Sequence, residues 1–356
     1  MPNHPPDVPC VLVTGVGGRS VGCQILHALL LLRGKYRIVV TDADAFSFGL
    51  YQVNDRYVVP HAHSKDYIPA ILEIVKTEKV AAIFPGTEPE GFVLSAQQQI
   101  FLPFNCTVIA NPAHVVNLCN DKWELHCWLQ ETGFEVPLTE RSDNWRVLVA
   151  KTGFPIVGKP TVSSGGSRNV AILKNEEEVC RYLEETRTPD RIIFQEYLEA
   201  SDNEYTVGVM ISRTGEIIDS IVVHRKLIGL SLGSSRMINN RDYTLSTGYS
   251  QGFIVRHPAI QECCETLALK LGSRGPLNIQ GRLVNGMFKV FEVHPRFSGT
   301  TSIRADAGFN EPDVLFRNYL KNERFGRIDY RTDVAAIRAF QNFLVPISVL
   351  RGVRKA

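Results

Sequence analysis

A lysine followed by a serine- and glycine-rich run is the first pattern in this 356-residue chain that could do chemistry: residues 156–168 read IVGKPTVSSGGSR. Lys159 closes an apolar stretch and offers a point charge for phosphate oxygens. The run after it, with Ser164, Gly165 and Gly166 at its centre, offers backbone N–H groups that no bulky side chain obstructs. A flexible hairpin loop is the plainer reading. In a second pattern, QEYL at 195–198 with Glu204 beyond it, one strand ends on a carboxylate and the next begins on another. Such an edge can present backbone groups to an adenine ring and a carboxylate to ribose hydroxyls; two solvated glutamates are the alternative. The third pattern is Asn278-Ile279-Gln280, then Glu292-Val293-His294-Pro295-Arg296. Side chains alternate along a strand, so Glu292 and His294 share one face. If the strands pair through Asn285-Gly286, a strong hairpin signal, Gln280 and Glu292 converge. Oxygen donors on rigid strands suit Mg²⁺, and Arg296 can neutralise a transferred phosphoryl group.

Other patterns are less specific. Gly15-Val16-Gly17-Gly18-Arg19-Ser20, with Asp42 at the end of the next strand, approaches a dinucleotide fingerprint but has Ser20 in the place of the third glycine. A tight strand-to-helix turn needs glycines with or without a ligand. Arg225, Lys226, Arg236 and Arg241, with Arg304 downstream, could meet a substrate carboxylate or form a solvated loop. His61 and His63 read as surface residues.

These side chains need elements to hold them. Up to Asn111-Pro112, strands near residues 10–14, 37–41, 80–84 and 107–110 alternate with helices, the pattern of an α/β parallel sheet covered on both faces. Beyond that break come helices at 121–132, 176–185 and 259–271. Strands fall at 155–160, 168–173, 191–195, 204–211, 217–224, 277–284 and 287–293, an α+β arrangement with antiparallel pairing. The expected division is an α/β domain over 1–112, linker helices and a small lobe over 113–197, and a large lobe with a C-terminal extension over 198–356. With 39 basic against 37 acidic residues, no charge excess argues for nucleic acid or an anionic membrane. Eight cysteines without a C-x-x-C pair fit neither a zinc site nor a disulfide framework. The polar, proline-rich start has no signal-peptide pattern, and no apolar run spans a bilayer, so a cytoplasmic location is expected.

Taken in order, the VGKP strand, the QEYL…NEYTVGV stretch and the segment from Asn278 to Gly308 resemble the ATP-grasp superfamily, in the branch of the carbamoyl-phosphate synthetase large subunit. The resemblance covers roughly residues 10–320. It implies a pre-ATP-grasp domain followed by two lobes that close on ATP. Lys122 and Lys159 would contact ATP phosphates, Glu196, Tyr197 and Leu198 would line the adenine site, and Glu204 would hold the ribose. Gln280 and Glu292 would hold magnesium, and Arg296 would reach the γ-phosphate. The family usually has Asn where this chain has His294, which points to weak metal binding, Mn²⁺ in place of Mg²⁺, or a phosphate-positioning role. The implied reaction phosphorylates a carboxylate and joins it to an amine; a homodimer is compatible with it. A bicarbonate- or carbamate-phosphorylating enzyme, a non-catalytic nucleotide binder and a dinucleotide oxidoreductase are the rivals. The glycine turn is expected not to bind NAD(P)H; saturable NAD(P)H binding that Gly17→Val abolishes would overturn that expectation.

Overall fold

The computed structural model describes residues 8–162, 169–199 and 202–356. The N-terminal part alternates strands and helices as expected: β1 (Cys10–Val13), α1 (Val21–Leu30), β2 (Arg37–Asp42), β3 (Asp55–Val58), α2 (Tyr67–Glu78), β4 (Ala82–Phe84), α3 (Glu88–Ala96) and β5 (Thr107–Val108). The pairs among these strands are all parallel, in the order β3-β2-β1-β4-β5. β1 is buried throughout because both faces of the sheet are covered. The chain reverses its winding direction between β1 and β4. The glycine turn after β1 and residues 85–87 after β4 therefore flank the crevice at the carboxyl ends of the strands. Only glycine fits at 15, where φ is +57° and a Cβ would stand 2.3 Å from Glu90 Oε2. Close packing of α1 falls to Gly22, whose Cβ would stand 2.3 Å from the Thr14 carbonyl, while Ser20 caps the helix by accepting from the Cys23 amide at 3.2 Å.

Two helices follow, α4 (Ala113–Asn120) and α5 (Lys122–Glu131). Asp121 caps α5, accepting from the Trp123 amide at 2.8 Å. A four-stranded antiparallel sheet comes next, built from β6 (Thr139–Arg141), β7 (Ile156–Pro160), β8 (Ala171–Leu173) and β9 (Ile192–Glu196), with α6 (Trp145–Thr152) and α7 (Glu176–Glu185) beside it. It has its own core around Leu148, Ile156 and Phe194.

The remainder forms a six-stranded sheet that includes β10 (Glu204–Ile211), β11 (Ile217–Arg225), β14 (Gly252–Val255), β15 (Gly275–Val284) and β16 (Met287–His294). The basic stretch, read as either a substrate contact or a solvated loop, contains a hairpin, β12 (Leu232–Ile238) with β13 (Arg241–Ser246). α8 (Pro258–Lys270) packs on β10 and β11; α9 (Thr301–Asp306) and α10 (Glu311–Lys321) pack on α1. The C-terminal segment holds β17 (Ala335–Ala336), α11 (Ile347–Arg351) and β18 (Arg354–Lys355). β17 pairs with β14, while β18 returns to the edge of the N-terminal sheet and pairs with β3. One core joins Val11 and Phe84 of the N-terminal sheet to Ile221, Phe297 and Phe316 of the C-terminal part. These two parts are thus a single packed body, and the four-stranded lobe is the one with a separate core.

The buried ion pairs tie this body together. Arg304, 0 % exposed, donates to Glu311 Oε1 at 3.1 Å and to Asn278 Oδ1 at 2.8 Å. A Cβ on Gly208 would meet both partners, at 2.2 Å from Arg304 Nη1 and 2.4 Å from Glu311 Oε1. This corrects the expectation that Arg304 greets substrate: it is a core cation with its counter-ion in place. Arg304→Ala leaves Glu311 buried without a partner. It should destabilise the protein by about 3–5 kcal/mol, read as a clear fall in melting temperature, whereas breaking the exposed Arg331–Asp333 pair should cost under about 1 kcal/mol. Equal melting temperatures for the two variants would refute the structural role of Arg304.

Candidate active site

The pairing of β15 with β16 places the third motif. Asn285 and Gly286 occupy the two turn positions at φ +51° and +80°, the left-handed pair that a two-residue hairpin turn requires. From that turn the register puts Gln280 opposite Glu292 and Asn278 opposite His294. A bulge between Gln280 and Gly281 leaves Phe291 as the extra residue. Gly281 is needed there, because a Cβ would stand 2.6 Å from the Lys289 carbonyl and the Phe288 ring. The expected convergence of Gln280 and Glu292 is therefore present.

The antiparallel pairing of β7 with β9 brings the first motif to the same place. Lys159 is buried beside Gln195, and its Nζ lies 2.9 Å from Gln195 Oε1. Burial brings its pKa down to about 8, with Lys122 adding to the effect and Glu292 opposing it. Lys122, at the first turn of α5, donates its backbone N–H to the Thr161 carbonyl at 2.7 Å. Neither lysine has a carboxylate ion-pair partner among the described residues. Both line a cleft with Glu196, Tyr197, Leu198, Glu204 and Glu292. Ser164, Gly165 and Gly166 lie outside the described residues.

Burial works against the charge on Glu292, but His294, Lys122 and Lys159 together hold its carboxyl down at about 2. His294 does not stand as a free ligand. Its Nε2 lies 3.2 Å from Glu292 Oε2 and its Nδ1 lies 3.0 Å from Glu88 Oε1. Burial disfavours the imidazolium, yet the facing carboxylates raise its pKa. Both ring nitrogens thus face carboxylates, and ligation of a metal by His294, with Mn²⁺ in place of Mg²⁺, remains an expectation. Among the described residues no group of three or more His, Cys, Asp or Glu is arranged to hold a metal. The donor set that fits is smaller: Gln280 and Glu292, two oxygen donors on neighbouring strands, which suits an ion that completes its shell with phosphate oxygens and water. Gln280 Oε1 also accepts from Arg225 at 3.3 Å.

Arg296, which follows β16, donates to Glu88 Oε1 at 2.6 Å, while its Nε is buried without an acceptor. Glu88 itself is held well below the usual carboxylate range: burial opposes the charge, and Arg296 and His294 outweigh it. Motif reading missed Glu88 because it comes from α3, some two hundred residues away in sequence. The visible signal was Thr87-Glu88-Pro89-Glu90, a helix start in which Thr87 accepts from the Glu90 amide at 3.3 Å.

Other expected contacts are already taken. Glu204 is 2 % exposed, with Oε1 on Arg225 at 2.6 Å and Oε2 on Arg282 at 2.9 Å. Its carboxylate belongs to a buried ion triad at the edge of the cleft. Arg225, expected at substrate, is the second member of that triad and donates to the Thr247 carbonyl as well. Lys226 pairs with Asp202 at the surface, and Arg236 clamps the β12–β13 hairpin to Glu178 on α7 and to the Ile172 carbonyl. The basic stretch is therefore internal bracing. The Glu196 carboxylate pairs with Lys289 at 2.5 Å. Tyr197 accepts from the Thr244 amide at 2.8 Å, and the Leu198 carbonyl accepts from Arg282. The hinge edge is thereby tied to the β12–β13 hairpin.

Residues 11–109 match the family described as the PylC-like N-terminal domain, and residues 188–341 match ATP-grasp in the biosynthetic pathway with Ter operon. The chain is 22% identical over 318 residues to the carbamoyl phosphate synthase large chain of Deinococcus deserti, covering 83% of this chain and 28% of that one. It is 24% identical over 314 residues to that of Thermus thermophilus, covering 83% and 29%. The chain thus spans under a third of the length of these curated relatives. In fold it is similar to N5-carboxyaminoimidazole ribonucleotide synthetase from Thermotoga maritima, with a TM-score of 0.59 and 16% identity over 90% of this chain and 78% of that one. It is also similar to the biotin carboxylase domain dimer of Hydrogenobacter thermophilus 2-oxoglutarate carboxylase, described in complex with MgADP, ADP and bicarbonate, with a TM-score of 0.62 and 15% identity over 91% and 72%. No helix among the described residues is long and apolar enough to cross a membrane. Residues 188–341 thus match an ATP-grasp family and residues 11–109 a PylC-like N-terminal domain, and the parallel-sheet domain, the separate four-stranded lobe and the in-register Gln280–Glu292 hairpin agree with those matches.

Proposed function

We propose that this protein is an ATP- and Mg²⁺-dependent ligase that phosphorylates a substrate carboxylate and joins the resulting acyl phosphate to an amine. The observation that carries this reading is the pair of lysines, Lys122 and Lys159, that face Glu292 in one cleft without a carboxylate ion-pair partner of their own. A buried cation with only a neutral amide oxygen beside it is costly, and a phosphate chain supplies the missing negative charge. The nucleotide would lie against Glu196, Tyr197 and Leu198, with its phosphates toward Lys122 and Lys159. Gln280 and Glu292 would hold Mg²⁺, which when bound neutralises phosphate charge.

Arg296 brings a guanidinium with an unused Nε donor to the far side of Glu292, where the acceptor carboxylate would sit. His294 and Glu88 hold that guanidinium and Glu292 in a fixed chain of charges. In the first step a carboxylate oxygen attacks the γ-phosphorus and ADP leaves. In the second, the amine nitrogen attacks the acyl carbon, the C–O bond to phosphate breaks, and the nitrogen loses a proton. The chain's contribution is position and charge neutralisation. A second reading, phosphorylation of bicarbonate, draws on the names of the carbamoyl phosphate synthase relatives. A homodimer is part of the proposal, since one structural neighbour is described as a domain dimer.

The direct test is ADP release with Mg·ATP across carboxylates, bicarbonate included, each with and without an amine; no ADP release with any of them would reject a ligase. Lys159→Ala should lower turnover by about 10²–10³-fold, by removing one preorganised charge from the phosphoryl-transfer site. A folded variant with near-normal ADP formation would remove Lys159 from that role. Glu292→Gln should abolish metal-dependent turnover at unchanged melting temperature, and full activity in that variant would break the assignment of the hairpin.

A further inference from the structure

Behind the nucleotide cleft lies a second cavity, between α3, α4, α5 and the inner side of β16. The two share one wall, made of Lys122, Lys159, Gln195, Phe291 and Glu292. The bulge that displaces Phe291 is part of that wall. Away from it the lining is apolar: Phe92 from α3, Ile109 after β5, Val116 from α4, Leu125 and Leu129 from α5, and Val290 from β16. Its lining is that of a small-molecule pocket, apolar with a few convergent polar groups. Bicarbonate, with no apolar part, would leave that lining without a partner.

The polar groups are concentrated at one end. Lys122 and Lys159 bring two cations to the shared wall beside Glu292, and Arg296, which lines the second cavity alone and pairs with Glu88, adds a buried Nε donor without an acceptor. Only one polar ring lies among the apolar residues of the deep end. His126, 6 % exposed, stands between Leu125 and Leu129 and has no hydrogen-bond partner among the described residues, its one close ring contact being Trp123 at 5.8 Å. Burial, with Lys159 adding to it, brings its pKa down to about 4. It is therefore a neutral imidazole, able to donate from one nitrogen and accept at the other.

We infer that this cavity is the pocket for the carboxylate substrate, and that it takes an acid with an extended apolar body whose carboxylate meets the cations of the shared wall while His126 hydrogen-bonds a polar atom on the body. The inference rests on the ligase reading and narrows it to a substrate class. The geometry fits that order of events: the carboxylate is the part that must reach the nucleotide's terminal phosphate, and the shared wall is where the two cavities meet.

The test uses the full chain with Mg·ATP and straight-chain acids from acetate to octanoate, with bicarbonate as the small alternative. ADP release and calorimetric binding to the Mg·ADP-loaded protein are measured in parallel. Affinity should rise by about fourfold per added methylene until the cavity is full. Val116→Phe and Leu129→Phe, which reduce the cavity from different helices, should each move the optimum to shorter acids with Mg·ADP binding unchanged; two variants guard against one that fails to fold. An acid bearing one hydroxyl or keto oxygen on its chain should bind more tightly than its hydrocarbon counterpart, and His126→Leu should erase that difference. ADP release that is equal across the series, or given by bicarbonate alone, overturns the pocket and leaves the ligase reading standing. Length-dependent binding with no ADP release for any acid overturns the ligase reading and, with it, the cavity's role as a substrate site.

Discussion

The in-register pairing of β15 with β16 is the constraint on which the site depends. Gln280 faces Glu292 only because the two-residue turn at Asn285-Gly286 and the bulge at Phe291 set the register together. A slip of one residue would turn Gln280 and Glu292 to opposite faces, because side chains alternate with a period of two. The same pairing sets His294 opposite Asn278, and Asn278 in turn accepts from Arg304 in the core. The Glu292 edge of the hairpin and the buried ionic core are thus joined through one pair of strands.

Charge is distributed along that edge in a fixed alternation. Lys122 and Lys159 face Glu292, Glu292 faces His294, His294 faces Glu88, and Glu88 faces Arg296. Each carboxylate lies between cations, so both remain ionised despite burial. The lysines are the exception, with Lys159 resting on a neutral amide. The local excess of positive charge therefore points toward the cleft. In the large lobe the ionic groups are satisfied differently: Glu204 is neutralised by Arg225 and Arg282, and Arg236 by Glu178. A buried carboxylate bonded to two guanidiniums is a structural joint, and removing any member would leave a charge that the interior cannot solvate.

The four-stranded lobe has its own core, whereas the N-terminal sheet shares a core with the C-terminal helices. The lobe meets the rest of the chain beyond β9, where Tyr197 holds the β12–β13 hairpin by the Thr244 amide. Lys159 lies on the lobe side of that divide and Glu292 on the other, so the distance between cation and carboxylate depends on lobe position.

What the sequence determined by itself was local. Alternation in residues 10–110, apolar periodicity in the helices and the Asn-Gly turn specified the elements, because helical hydrogen bonds and the facing of side chains along a strand depend on near neighbours. The turn also made the Gln280–Glu292 convergence legible, since a two-residue hairpin fixes register over its length. β3, α4, β6, α6 and the β12–β13 hairpin were not read: they are short or polar, and owe their form to the surfaces they pack against. Only the tertiary structure decided which charges are free. Arg225, Lys226, Arg236 and Arg304 resemble Lys122 and Lys159 in sequence, but the first three find carboxylates more than twenty residues away, Arg304 finds Glu311 on the next helix, and Glu88 reaches His294 and Arg296 across some two hundred residues. The strength of a buried charge interaction is set by distance in space and by access to water, and neither quantity is written in local residue order.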